Sequence, residues 1–583
     1  MSPGSLLPPE DQQKTRPTRN VSALPSVGYN NAYAMATSPI TILEERKARG
    51  AFFTPPEIAR FLTTWAIRNH TDRVLEPSCG EAAFLLGAGE RLLGGDLRKC
   101  LHGFDIHPES VAEAKQLLAA RGMDATLRTG DFFEQEPDAS FDAVIGNPPY
   151  VRYQSFSGAV RHRALEAALR QGVRLNQLAS SWAAFTVHAS AFLKPEGRLA
   201  LVLPAELLAV KYACQIRRFL LDRFASVRLV LFENLVFPGI LEEVVLLLAE
   251  GSGGAKSFEL YQAPDAVDLR NIPAASWTGF TPKGSDKWTG ALLPAQALDL
   301  YEGLLEDHGF HTMLDWGETY LGAVTGNNDY FTLTRSQAQN LKLQPAELTR
   351  ISPPGSRHLR GLLFSEHGWD ALARAGERCY LFTPGDEPSK AAVEYIHQGE
   401  AENVHTAYKC KVRTPWWRVP MVRRPDFLFT YMNHDRIRLI RNGAGVHFLN
   451  SLYGVELRSG RRAIGQEFLA MASLNSVTML GGEIVGRSYG GGMLKHEPTE
   501  ADQLPLPSYE ILKKVAPRLR LLQPQVGALL RRNDITPAID IVDSIVLKDH
   551  LKLTDIQIKA VRDARETLLQ RRMTRARGQN GKS

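Results

Sequence analysis

The stretch "RVLEPSCGEAAF", residues 73–84, sets an apolar run, a proline and a glycine directly before a second apolar run. Val74 to Glu76 reads as a buried strand, Gly80 as a turn, and a helix starts near Ala82. A glycine in such a turn lets backbone approach a ligand, and the new helix N-terminus offers N–H groups to an anionic group. The same residues equally suit an ordinary strand-to-helix turn. Working outward, the alternation continues: a helix over 57–67, then strand 101–104, helix 108–120, strand 125–127, strand 141–146, helix 182–192 and strand 198–203. This rhythm predicts a doubly wound, Rossmann-like α/β sheet. The two apolar runs of "VRLVLFENLVFPGILEEVVLLLAE" (227–250) read as neighbouring buried strands, and "GSGGAKS" (251–257) as a linker.

With 583 residues, 44% of them hydrophobic and 23% charged, the chain is long enough for two or three domains with real cores. Residues 1–40, rich in Pro, Ser, Thr and Asn, read as a flexible N-terminal arm. The α/β unit spans 41–255, a mixed α+β, loop-rich region 256–507, and a basic helical segment 508–583. No apolar run approaches the ~20 residues of a membrane-spanning helix, and no signal peptide is visible, so a cytoplasmic location without a membrane partner is expected. Cys79, Cys100, Cys214, Cys379 and Cys410 lie far apart and read as reduced thiols, with no metal site. Lys plus Arg outnumber Asp plus Glu by 69 to 63, a net charge of +6 that favours a polyanion only where the excess is clustered.

In a doubly wound sheet, ligands gather at the carboxyl ends of the strands. "GFDIHP" (103–108) puts Asp105 at such an end, where a carboxylate suits a ribose diol or, equally, the N-cap of the helix from Pro108. "TGDFF" (129–133) offers Asp131 to an exocyclic amine and Phe132 to a purine face. "AVIGNPPYVRY" (143–153) ends the fourth strand in Asn147-Pro148-Pro149-Tyr150, where two prolines stop strand or helix. An amino group conjugated to an aromatic ring is a poor nucleophile, because its lone pair is delocalised. Two fixed acceptors that draw both N–H bonds out of the ring plane correct this. The Asn147 side-chain oxygen is one, and the Pro148 carbonyl, aimed by two restricted φ angles, is the other. Tyr150 would stack on the base, which must leave the duplex to reach the pocket. A Pro-Pro turn with a packed tyrosine is the purely structural alternative, and the three polar strand ends upstream weigh against it.

These residues resemble the gamma class of DNA adenine-N6 methyltransferases from bacterial restriction–modification systems. "FFTPPEIARFL" (52–62) is similar to the motif that touches the methionine portion of S-adenosylmethionine, which gives Thr54 a cofactor role. Glu76, Pro77 and Gly80 match the class's main cofactor loop, Asp105 and Ile106 its ribose and adenine contacts, and Asp131 and Phe132 its adenine-binding pair. Asn147, Pro148, Pro149 and Tyr150 match its catalytic motif. "LVFPGILEEVVLLL" (235–248) looks like the late motif whose aromatic residue stacks on the flipped base, nominating Phe237, for which core packing is the alternative. Ala82 stands where many relatives have a second glycine, which puts the loop's shape and the cofactor affinity in doubt. The resemblance implies S-adenosylmethionine as cofactor, double-stranded DNA as partner, and a cognate restriction endonuclease in the same system. Since one chain carries catalysis and specificity, a monomer is workable.

"LGAVTGNNDYF" (321–331) and "SYGGGMLKHEP" (488–498) resemble islands in the recognition halves of related enzymes. Lys409, Lys411, Arg413, Arg418, Arg423 and Arg424, interleaved with Trp416 and Trp417, suit phosphate contact and base-edge reading, or else a solvated basic face over a Trp-filled core. The glycines 490–492 beside Lys495 bring backbone close to DNA or form a turn. Two other classes stay open: an amino-methyltransferase acting on a protein glutamine amide or on RNA adenine, and a DNA-binding subunit that has lost catalysis. The long basic-aromatic second half favours DNA.

Overall fold

The computed structural model describes residues 54–153, 155–237, 243–282, 287–489 and 492–580. The arm expected over 1–40 lies outside these residues. Helix α1 (Pro56–Ala66) leads into β1 (Val74–Glu76), α2 (Ala83–Arg91), β2 (Leu101–Asp105), α3 (Pro108–Ala119), β3 (Thr126–Thr129) and β4 (Phe141–Gly146). Then follow α4 (Gly158–Arg170), α5 (Ser181–Ser190), β5 (Leu193–Pro204), α6 (Cys214–Arg223), β6 (Ser226–Phe232), β7 (Val244–Glu250), β8 (Phe258–Ala263) and β9 (Thr278–Phe280).

The strands form a single sheet in the order β3-β2-β1-β4-β5-β7-β6-β8-β9. The first five are parallel, and β7 runs antiparallel between β5 and β6. Helices cover both faces, so the central strands carry nearly unbroken apolar runs. Ala143, Val144 and Ile145 of β4 and Leu199 to Leu203 of β5 are all 0% exposed. Strand order reverses between β1 and β4. The loops leaving these two strands therefore diverge over a crevice, the place where such sheets bind ligands.

The linker expected at 251–257 is instead a turn within the sheet. Gly251, Gly253 and Gly254 have φ of 71°, 124° and 67°, which glycine adopts without steric cost. Beyond it β8 pairs in parallel with β6, and β9 closes the edge. The α/β unit thus runs on to Phe280, past the boundary drawn at 255. The reason is packing: Phe258 and Trp288, each 1% exposed, meet with ring centroids 4.4 Å apart and fill the core beneath β6.

The second half is organised around a five-stranded sheet, in spatial order Gly317–Leu321, Tyr453–Leu457, Phe427–Thr430, Arg438–Asn442 and Leu363–Phe364. The helices after Pro507 share its core rather than forming a segment apart. Leu512, Leu519 and Val526 of Tyr509–Arg531 are 0% exposed, in one cluster with Phe427, Phe429 and Val455. The C-terminal helix, Asp555–Asn580, is held by a buried ion pair, Arg572 to Glu483 at 2.8 Å, and a half-buried one, Arg562 to Asp543 at 2.6 Å. Among the described residues, no single helix is long and apolar enough to cross a membrane.

One charge pair ties the start of β1 to β5, at the amino-terminal end of the strands and away from the crevice. Asp72, just before β1, accepts the backbone N–H of Arg68 at 2.9 Å and the Nη2 of Arg198 on β5 at 2.9 Å. Both side chains are nearly fully buried, and the Nε and Nη1 of Arg198 have no other partner among the described residues. Removing one member of a buried pair strands the other charge. Asp72→Ala is therefore expected to lower stability by about 3–5 kcal/mol, read as a fall in the thermal midpoint, with the double variant Asp72→Ala/Arg198→Met, which removes both charges, costing less.

Candidate active site

Four strand ends meet at the crevice. After β1, Gly80 takes φ 43° and Ala82 takes φ 62°, ψ 19°. Ala82 thus adopts the left-handed conformation a glycine there would adopt. The departure from glycine carries strain of roughly 1–2 kcal/mol. A fully buried methyl in the core beside Phe84 and Leu85 offsets part of it.

Asp105, at the tip of β2, accepts the N–H of Gly80 through Oδ2 and that of His107 through Oδ1, each at 2.9 Å. It clamps the β1 loop to its own turn. The helix from Pro108 has His107 as N-cap residue with no side-chain cap bond, so Asp105 does not cap it. Each Asp105 oxygen keeps a second lone pair for a diol. Ile106, beside it, is 51% exposed, an apolar side chain held out at the rim.

Glu76, by contrast, is 2% exposed, and its Oε2 is buried without a partner among the described residues. Burial pushes its carboxyl well above the ordinary value; a bond from the Leu85 N–H works against this, and the Asp105 charge adds to it. A buried acidic oxygen without a donor, at the carboxyl end of β1, fits a ligand carrying an ammonium group.

Across the crevice stands the loop after β4. The Asn147 Nδ2 donates to Thr54 Oγ1 at 3.2 Å, while Asn147 Oδ1 is buried with no donor among the described residues. The Ser78 hydroxyl donates to the Asn147 carbonyl at 3.3 Å, joining this loop to the β1 loop. Tyr150 donates its hydroxyl to the Val202 carbonyl of β5 at 2.9 Å, which fixes its ring. Ser181, the first residue of α5, donates to the Pro149 carbonyl; its Oγ accepts the Val151 N–H at 2.8 Å, and its own N–H reaches the Val151 carbonyl at 3.0 Å. The Pro-Pro turn is thereby pinned on both sides. Ser181 was not singled out from the sequence, since the contact spans about thirty residues and no local spacing marks it.

Thr54, expected at the methionine portion of the cofactor, hydrogen-bonds Asn147. Two other expectations change. Phe132 does not face the crevice: it is 4% exposed, stacked on Phe192 at 5.0 Å and packed on Phe185 and His188 at 5.1 and 4.9 Å. Its ring is spent in the core between the sheet and α5. Phe237 likewise is 4% exposed, in the core with Val230, Phe232 and Val244. An apolar residue next to a motif looks the same in sequence whether it serves the core or a ligand. Asp131, just after β3, accepts the Phe133 N–H at 3.0 Å and pairs with Arg163 of α4 at 2.8 Å.

The basic-aromatic stretch of the second half is largely structural. Arg413 donates to the Thr325 and Val324 carbonyls, Arg418 pairs with Asp386, and Arg423 pairs with Glu318 and Glu456. Trp416 packs on Tyr330 and Phe331. Nearby, a cavity of about 420 Å³ lies against the stacked pair Tyr330–Tyr395, lined by Asn327, Gln337 and Asn340, far in sequence from the crevice residues. Gly490 and Gly491 lie outside the described residues, while Gly492 takes φ 71° in the turn before Met493–Lys495.

Comparison with known proteins agrees with this geometry. Residues 41–256 match the N-6 DNA Methylase family, and residues 285–547 match the C-terminal domain of the Type II methyltransferase M.Eco57I. The chain is 22% identical over 490 residues to the Type II methyltransferase M.AccI of Acinetobacter calcoaceticus, covering 81% of this chain and 88% of that one. It is 25% identical over 492 residues to M.XamI of Xanthomonas campestris pv. amaranthicola, covering 79% and 86%. Among solved structures, the Type IIL restriction–modification enzyme MmeI, determined in complex with DNA, shares the fold with a TM-score of 0.53 at 11% identity, over 91% of this chain and 76% of that one.

The raised carboxyl of Glu76 makes the ligand-free protein pH-sensitive. A group whose folded-state pKa lies above its unfolded value costs stability as pH rises from the unfolded value through the folded one. Glu76→Gln is therefore expected to melt several degrees above the parent at pH 8, with the gap closing towards pH 5 in pH-series thermal scans.

Proposed function

We propose, for a chain that belongs to the N-6 DNA methylase family and is a restriction–modification DNA methyltransferase, that it works by the gamma-class scheme. It takes S-adenosylmethionine as donor and methylates the N6 amino group of an adenine turned out of duplex DNA. The observation that carries this reading is the buried, donorless Oδ1 of Asn147, aimed by the bond of the same amide to Thr54. An acceptor held in this way has a use only when an N–H group arrives.

The residues fit the cofactor. Glu76 would take its ammonium group, Gly80 and Pro77 its close backbone approach, Asp105 its ribose hydroxyls, Ile106 one face of its adenine and Asp131 its exocyclic amine. Bound S-adenosylmethionine supplies a methyl group on a positively charged sulfur. The chain's own part is to prepare the nitrogen. Asn147 Oδ1 accepts one N–H of the target and the Pro148 carbonyl the other, so the lone pair is drawn out of conjugation with the ring. The methylated nitrogen then sheds one proton to water, and no charged base is required. Tyr150, fixed through Val202, would stack on the base and compensate its lost neighbours by about 1–3 kcal/mol. Thr54 and Ser181 are positioning residues: one orients the amide and the other the Pro-Pro turn. A cognate endonuclease that cuts the same unmethylated sequence is the partner this scheme implies.

The protein-glutamine and RNA alternatives have no comparable support, because both halves of the chain match DNA-modifying enzymes. The direct test is to incubate plasmid with the protein and locate N6-methyladenine by single-molecule sequencing. Asn147→Ala should bind S-adenosylmethionine as the parent does and lose on the order of 10²–10³ in kcat, the scale of losing one fixed polar partner of a reacting group. Undiminished labelling by that variant would overturn the scheme. Thr54→Val is expected to lower kcat with the KM for DNA unchanged, and Thr54→Ser to restore it.

A further inference from the structure

A second group of unsatisfied polar atoms lies in the other half of the chain. The turn His434-Asp435-Arg436-Ile437 joins Met432–Asn433 to Arg438–Asn442. Arg436 is 6% exposed; its Nη1 donates to the Ile437 carbonyl at 3.2 Å, and its Nε is buried with no partner among the described residues. Arg438, with a side chain 10% exposed, pairs with Asp435 at 2.6 Å and so consumes the one carboxylate of the turn. Arg565, on the C-terminal helix, donates to the Asp435 carbonyl, and its Nε is also buried and unpartnered. Its nearest carboxylate is Glu566 at 3.7 Å, which is half exposed. Arg360, exposed at the surface, is close enough to press on the Arg436 charge. Burial first, and then Arg438, Arg360 and Arg565 against the attraction of Asp435, bring Arg436 down to about 10.

Among the described residues, the guanidinium groups of Arg436, Arg438 and Arg565 are therefore set against only two carboxylates, Asp435 and Glu566, and exposed Arg360 adds a fourth positive charge near Arg436. Buried cations with spare donors are costly unless an anion completes them. The fold nevertheless holds the cluster firmly. Seven residues along the same helix from Arg565, Arg572 donates to the His434 carbonyl at 3.0 Å and to the Gly492 carbonyl while paired with Glu483. The turn is thus built against the C-terminal helix and beside the turn at Gly492.

We propose that Arg360, Arg436, Arg438 and Arg565 form a binding site for a backbone phosphate of the DNA. This deepens the function proposed above and rests on it. A phosphodiester brings a single charge and several acceptor oxygens, which guanidinium forks match bidentately. A site of this kind positions the duplex without reading its sequence.

The test is binding of duplex DNA, with and without the methylated sequence, over a series of salt concentrations. Arg360→Gln, on the exposed side, leaves the fold intact, and Arg436→Gln and Arg565→Gln probe the buried donors, with thermal scans checking that each folds. Each folded variant is expected to reduce the slope of log affinity against log salt by about one and to weaken binding equally for both duplexes. Methyl transfer at saturating DNA should stay at the parent level. An unchanged slope in folded Arg360→Gln and Arg565→Gln would overturn the site, as would a loss confined to one sequence. Inorganic phosphate that raises the melting point of the parent without competing with DNA would assign the cluster to a free anion and equally overturn it. Failure of the catalytic scheme reads out separately, as absent labelling by the parent protein or retained labelling by Asn147→Ala.

Discussion

A side-chain amide has two chemically opposite ends, and the crevice depends on which of them is already engaged. In Asn147 one N–H of the amide nitrogen is engaged by Thr54, while the oxygen is buried with no donor among the described residues. Around it, Ser78 ties the two loops, Ser181 pins the prolines and Val202 holds Tyr150. None of these bonds is strong singly, each contributing about 1 kcal/mol net. Together they leave the turn with one conformation, which is what an acceptor needs in order to act on a weakly basic nitrogen without reorganising.

The two loops flanking the reversal in strand order are electrostatically unlike. On the β1 side, Glu76 and Asp105 put carboxylates next to each other, and burial forces one of them to resist ionisation. On the β4 side, Asn147 and the prolines offer only neutral acceptors. On the proposed scheme, the first loop would take a cationic ligand and the second an uncharged amine. The sheet keeps the two environments apart because its parallel strands deliver each loop from its own strand end.

Much of this was legible from residues 73–153. Strands such as Phe141–Gly146 are read correctly because burial on both faces demands an unbroken apolar run, and the loops stand out because proline and glycine interrupt such runs. What could not be read depends on contacts distant in sequence. Helix α4 lacks a wide apolar stripe and was passed over, yet it supplies Arg163 to Asp131. Phe132 and Phe237 carry the right ring in the right neighbourhood, but the core claims them. The basic run around Trp416 looks like a DNA-facing patch until Asp386, Glu318 and Glu456 are brought opposite its arginines. The strands beyond Gly254 were hidden by a turn whose composition is that of a linker.

The stapling of the Pro-Pro turn by Ser181 carries a thermodynamic consequence for substrate choice. If, as proposed, the catalyst does not travel towards its target, the whole displacement would fall on the nucleic acid, which would have to unpair and unstack one nucleotide before the two oxygens could engage it. On the proposed scheme, the same recognition sequence with its adenine left opposite a non-complementary base is then the better ligand, since a mispaired nucleotide has less to lose on leaving the helix.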